Sequence, residues 1–194
     1  MPGKETQRLE AFSDGVIAII ITIMVLELKT PQGVDLAALR PLIPVLMSYA
    51  LSFIYVGIYW NNHHHMLHAA SKVNGRILWA NLHLLFWLSL FPFVTSWMGA
   101  NRFVAIPVAL YGGVLLMAGI AYYILARELA SHHGKDSTLA LALGKDLKGL
   151  ASIAIYAIAI ASAFWNPRLA GALYVAVALM WFVPDRRIED RIAS

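Results

Sequence analysis

Hydrophobic positions in this chain come in long runs separated by short polar connections. The runs approach the roughly 20 residues a helix needs to cross a bilayer. Six stand out, at residues 9–28, 42–62, 77–97, 103–126, 147–165 and 169–183. The second is entered through Pro41 and Pro44, and the fourth carries Pro107 in its first turns, where a missing N–H is tolerated. Pro92 lies inside the third run and should kink or weaken that helix. The sixth run, followed by Pro184, is the shortest, and a re-entrant segment is the alternative to a full span there. The pattern predicts an all-α polytopic membrane protein, one six-helix domain over residues 1–194, with no internal repeat and no low-complexity tract.

Composition agrees. A chain of 194 residues that is 60% hydrophobic and 13% charged, with a mean hydropathy of +0.67, carries more apolar surface than a soluble domain of that size can hide. Trp60, Trp79, Trp97, Trp165 and Trp181 fall near the ends of the runs, where interfacial aromatics sit. There is no cysteine, so disulfide and thiol chemistry are excluded. Arg8, Glu10 and Asp14 leave no clean apolar stretch of the signal-peptide kind at the N-terminus. The basic pI of about 9.4 does not point to nucleic acid, because the positive charge sits in short segments between apolar runs.

That charge is uneven. Of the 15 Lys and Arg residues, only Lys29, Arg40, Arg102 and Arg168 fall on one side of a six-span layout. The other eleven (15 − 4) share a side with both termini, so the positive-inside rule predicts cytoplasmic termini and supports an even number of spans. The connection from Arg127 to Gly149 reads as a short cytoplasmic helix or linker, and Pro184–Ser194 as a solvated end.

The first run holds the candidate chemistry. With Asp14 at zero on a wheel of about 100° per residue, Ile19 falls near 140°, Thr22 near 80°, Ile23 near 180° and Leu26 near 120°. These four make one stripe, and Asp14 lies well away from its centre. Gly15 and Ala18 are small and permit close helix approach. A carboxylate at membrane depth is expensive and pairs inside the protein, with Arg8 or a histidine near the end of the second run as candidates. Alternatively Asp14 sits at headgroup level, stabilised by the helix dipole, with Ser13 and Asp14 available as caps. Glu27, about 20 Å further along the axis, belongs at the outer interface, either as an acid at a pore mouth or as a surface acid near Lys29.

A second cluster is "YWNNHHHMLH", Tyr59 to His68. His64 and His68 share a helix face, but a zinc site wants further ligands, and the chain has neither an HExxH motif nor a cysteine. One or two of these histidines are expected to bond Asp14 or Asn81, and the others to sit at the interface. Asn81 lies one to two turns into the third run and needs a partner. His83 reads as a buried histidine with its bonds satisfied.

The segment "RLEAFSDG" fits R-x-x-x-F-S-D-G, and with "YWNNHH" and "NLHLLFWLSLFPF" downstream the chain resembles the transmembrane-protein-175 family of potassium channels. One six-span unit, rather than two in tandem, is similar to the prokaryotic members. The resemblance implies a homotetramer around a central pore lined by the first helix, in the prokaryotic cell membrane. It also implies a moderately potassium-selective, non-canonical cation channel, with no cofactor beyond the permeant K⁺ ions. No T-V-G-Y-G filter is present. By the same resemblance the narrowest ring, five residues after the motif aspartate, falls on Ile19, followed by Thr22 or Ile23 and then Leu26. Arg8, Phe12, Ser13 and Asp14 would tie the first helix to the second and third through Trp60, Asn81 and a histidine of the His63/His64 pair. Two other readings remain: a proton-coupled transporter using Asp14 and a histidine as a relay, and an enzyme built on Asp14 and the histidines. The chain lacks the paired, broken helices of inverted-repeat transporters and a full metal-ligand set.

Overall fold

The computed structural model describes residues 3–134 and 146–182, and all its regular elements are helices. They are α1 (Lys4–Leu26), a 3₁₀ segment (Leu36–Leu42) leading into α2 (Ile43–His68), α3 (Gly75–Ser89), α4 (Phe91–Ala100), α5 (Ala105–His133), α6 (Leu147–Ala163) and α7 (Pro167–Phe182). Taking α3 with α4 as one rod, six apolar rods result, matching the six runs. Four are long and apolar enough to cross a membrane: Lys4–Leu26, Leu36–His68, Gly75–Ala100 and Ala105–His133. The apolar helices α6 and α7 are shorter, at 17 and 16 residues, or about 25 Å at 1.5 Å per residue. α7 is continuous, without the break a re-entrant segment needs.

Several helices overrun their apolar runs. α1 begins at Lys4 rather than near Leu9, α2 continues through all three consecutive histidines to His68, and α5 reaches His133. The polar residues that end a hydrophobic run are themselves adequate helix formers, so the run ends before the helix does. This corrects the capping alternative for Ser13 and Asp14. Gly3 is the N-cap of α1, and Ser13 lies inside the helix with its hydroxyl donating to the Leu9 carbonyl at 2.9 Å. True side-chain caps occur at Asn74, which accepts from Ile77 N, and at Asp146, which accepts from Gly149 N. Pro92 does more than kink the third rod. It cannot donate to the Leu88 carbonyl, and the helix breaks at Leu90 and restarts as α4. Most of the connection between α5 and α6, and everything after Phe182, lies outside the described residues, as do the linker and solvated end expected there.

The buried apolar residues form one continuous core. α5 is its spine, packed against α3, α4, α6 and α7, while α1 leans on α2, α3 and α4. Buried hydroxyls pin the spine. Ser52 of α2 bonds Thr95 of α4 at 2.6 Å and Tyr111 of α5 at 3.0 Å. Tyr55 donates to the Tyr174 carbonyl at 2.6 Å, and Tyr174 donates in turn to the Val108 carbonyl at 3.1 Å. At two glycines the missing Cβ permits a close approach, of backbone at Gly99 and of side chains at Gly112. A Cβ on Gly99 would lie 2.8 Å from Val45 Cα, so α4 rests directly on α2. A Cβ on Gly112 would lie 2.8 Å from Tyr174 Cζ and 2.9 Å from Ile160 Cγ1. Gly112→Ala should therefore push Tyr174 off the Val108 carbonyl and destabilise the fold by about 1–3 kcal/mol, as overpacking does. Thermal unfolding in detergent, with Gly113→Ala as the control that meets nothing within 4 Å, measures it.

Candidate functional site

α1 has two apolar faces. Leu9, Ser13, Ile17, Ile20 and Met24, at spacings of three and four, are buried against the helix's own bundle. On the opposite side Ile19 is 57% exposed, Ile23 42% and Leu26 80%, with Thr22 exposed between them. Thr22 Oγ1 donates to the Ile19 carbonyl at 2.9 Å, which leaves its lone pairs facing outward. An apolar row that its own subunit leaves bare is a surface for lipid or for another copy of the chain.

The buried face carries the polar ties. Asn81 of α3 is fully buried; its Nδ2 donates to Ser13 Oγ at 2.9 Å and its Oδ1 meets His63 Nε2 at 2.7 Å. With Nδ2 spent on Ser13, Oδ1 must accept, so His63 carries its proton on Nε2 and its buried Nδ1 is left without a partner. His64 goes elsewhere: its Nδ1 lies 2.8 Å from Glu10 Oε1. One turn along, Trp60 Nε1 donates to Asp14 Oδ1 at 3.0 Å. Gly3–Ser71, Glu10–His64 and Asp14–Trp60 keep one antiparallel register between α1 and α2. Trp60, His64 and His68 stack in a column, with ring centroids 6.1 Å and 5.9 Å apart. Glu10 was not foreseen, although a wheel of the histidine segment puts Trp60, His64 and His68 on one face that calls for acids one turn apart.

Arg8 and Phe12 make none of these polar bonds; both line a groove on α1 shared with Leu78 and Leu82 of α3. Arg8 is exposed and makes no ion pair among the described residues, and Phe12 is 53% exposed. The wheel gives the reason: relative to Asp14 they fall at about 120° and 160°, on the Ile19–Leu26 side of the helix. Glu27 follows the last turn of α1 and accepts from Ser96 Oγ of α4 at 3.1 Å rather than pairing with Lys29. His83 is half-buried and takes its bond from Trp87 Nε1, 2.9 Å away on the same helix. Among the described residues no group of three or more His, Asp or Glu side chains is placed to hold a metal ion.

A helix bound to its own bundle by polar bonds on one face and left apolar and bare on the other, within six apolar rods, defines a multi-pass α-helical membrane protein. Residues 8–92, from the start of the motif through the break at Leu90, match the model of the family described as endosomal/lysosomal potassium channel TMEM175. The chain is 55% identical over 185 residues to a potassium channel of Chryseobacterium sp. (strain P1-3), covering 95% of this chain and 96% of that one. It is 32% identical over 129 residues to a potassium channel of Streptomyces collinus, covering 62% of this chain and 63% of the relative. The fold superposes on the crystal structure of a potassium-selective TMEM175 homolog from Chamaesiphon minutus with a TM-score of 0.80 at 27% identity, over 92% of this chain and 97% of the other. The chain belongs to the TMEM175 family, a family of ion channels and not of enzymes.

Proposed function

We propose that this chain forms a potassium channel: a homotetramer in the prokaryotic cell membrane, termini in the cytoplasm, with four copies of α1 around a central pore. The observation that carries this reading is the bare stripe Ile19, Thr22, Ile23 and Leu26 on a helix whose other face is bonded to its own bundle. One subunit with one such stripe cannot enclose a pore, and several can. The names of the bacterial relatives, all potassium channels, supply the permeant ion.

In this reading Ile19 is the gate. Four isoleucines converging on an axis exclude water from the constriction, and a dehydrated ion does not enter a dry apolar neck. Opening requires the α1 helices to tilt or rotate, and the Trp60–Asp14, His64–Glu10 and Asn81–Ser13 bonds resist that movement. Thr22 hydroxyl oxygens, one turn from the ring, replace part of the hydration shell. So few oxygens give moderate selectivity for K⁺ over Na⁺. Glu27 carboxylates at the outer mouth raise the local cation concentration.

The test is a liposome flux assay with K⁺, Na⁺ and a proton ionophore, beside a mass measurement of the purified oligomer. K⁺ flux down its gradient that is indifferent to the ionophore, carried by a particle of four subunits, supports the channel. Flux that requires a proton gradient would overturn it in favour of a transporter using Asp14 and a histidine.

A further inference from the structure

We propose that the groove between the first turns of α3 and the last turns of α5 binds the headgroup of an aminophospholipid of the phosphatidylethanolamine class. The groove is a broad, open depression of about 790 Å³, lined by Asn74, Arg76, Trp79 and His83 from the α3 side and Ile124 and Glu128 from α5. Arg76 and Glu128 face this space from opposite helices and form no ion pair with each other or with any other described residue. A guanidinium and a carboxylate that line one groove without pairing suit a ligand carrying both signs a few atoms apart. The lipid phosphate accepts from Arg76, and the ammonium donates to Glu128.

The surroundings fit a lipid rather than a soluble zwitterion. Trp79 is 75% exposed beside the charged pair and Ile124 is 38% exposed on α5, the pattern of an interfacial indole above an apolar surface for an acyl chain. The other end of the groove is bridged by protein. Asn74 Nδ2 and His132 Nδ1 are 3.1 Å apart, and Ser71 N donates to His133 Nε2 at 3.0 Å. Neighbouring Arg127 does not line the groove; its guanidinium turns to Tyr123 and donates to the Oη at 2.6 and 2.9 Å. The site therefore holds one cation and one anion. An anionic headgroup such as phosphatidylglycerol meets Glu128 without compensation. Phosphatidylcholine presents a quaternary ammonium, which has no N–H to give.

The experiment uses the full chain, delipidated in detergent and titrated with phosphatidylethanolamine, phosphatidylcholine and phosphatidylglycerol, with bound lipid counted by native mass spectrometry. The wild type should hold phosphatidylethanolamine about tenfold more tightly than either other lipid, the scale of one charge-assisted hydrogen bond. Glu128→Gln should remove that preference over phosphatidylcholine and raise phosphatidylglycerol binding, and Arg76→Gln should weaken all three. Either of two results overturns the site: phosphatidylglycerol bound more tightly than phosphatidylethanolamine by the wild type, or an unchanged lipid ranking in Glu128→Gln. The near-isosteric Glu128→Gln decides the matter alone if Arg76→Gln does not fold. Unchanged potassium flux in Glu128→Gln keeps this result separate from the channel reading.

Discussion

Ile19→Asn should raise potassium flux by about tenfold or more at matched protein density, because a barrier lowered by only ~1.4 kcal/mol gives that factor. The argument begins with where the side chain is. Ile19 is 57% exposed in the subunit, so exchanging it removes little packing from the fold. Its effect is confined to whatever surrounds it in the assembly. If that is three other Ile19 side chains, the four set both the width of the neck and its dryness. Asparagine is slightly smaller and presents an amide on all sides, so water fills the neck and the dehydration penalty on K⁺ falls. Selectivity should fall with it, since a water-filled neck spares both Na⁺ and K⁺ the loss of their hydration shells. Planar bilayers with purified protein read both quantities. Unchanged current would remove Ile19 from the gate. A large increase from Ile23→Asn with none from Ile19→Asn would move the constriction one turn toward the outer mouth. Unfolding temperature should not shift in either variant.

The rods were legible because hydropathy reports burial in lipid directly, and their ends were not, because hydropathy says nothing about helix propensity. Thus α1 starts at Lys4, ahead of its apolar run, and α2 and α5 run on to His68 and His133. Pro92 announced the break at Leu90, since the missing N–H is a property of the residue itself. The two faces of α1 could be separated on a wheel because one helix suffices for that. Sorting the histidines needed two. His63 faces Asn81 and His64 faces Glu10, and only the packed register of α2 against α1 and α3 decides which goes where. The bond from Ser52 to Tyr111, 59 residues away, and that from Tyr55 to Tyr174, 119 away, depend on which helices become neighbours, and no local pattern records that. Arg8 and Phe12 lie toward the stripe side on the wheel, and only the packed helices bring them beside Leu78 and Leu82 of α3.

Asn81→Leu should destabilise the subunit by about 2 kcal/mol, and the double variant His63→Leu with Asn81→Leu by less than the sum of the two single changes, by at least ~1 kcal/mol. Leucine keeps the branched four-atom skeleton of Asn81 and is the bulkier side chain, so no cavity opens. What changes is the hydrogen bonding of two fully buried groups. Ser13 keeps its bond to the Leu9 carbonyl and loses only an incoming donor. His63 loses the one ring partner it has among the described residues, where its Nδ1 is already unpaired, and becomes a buried imidazole with both nitrogens bare. In membrane proteins one hydrogen bond is worth on average only about 0.6 kcal/mol, so a loss near 2 kcal/mol must come from stranding His63 rather than from the bond itself. Removing the imidazole as well removes the stranded group, which is why the double variant should recover stability. A double-mutant cycle by denaturant unfolding in bicelles measures this, and additive single effects would show that the two side chains are not coupled. The same variant frees α1 from α3 at Ser13, in the cytoplasmic half of the proposed pore helix. Asn81→Leu should therefore change channel open probability and stability together, whereas Ile19→Asn changes current alone.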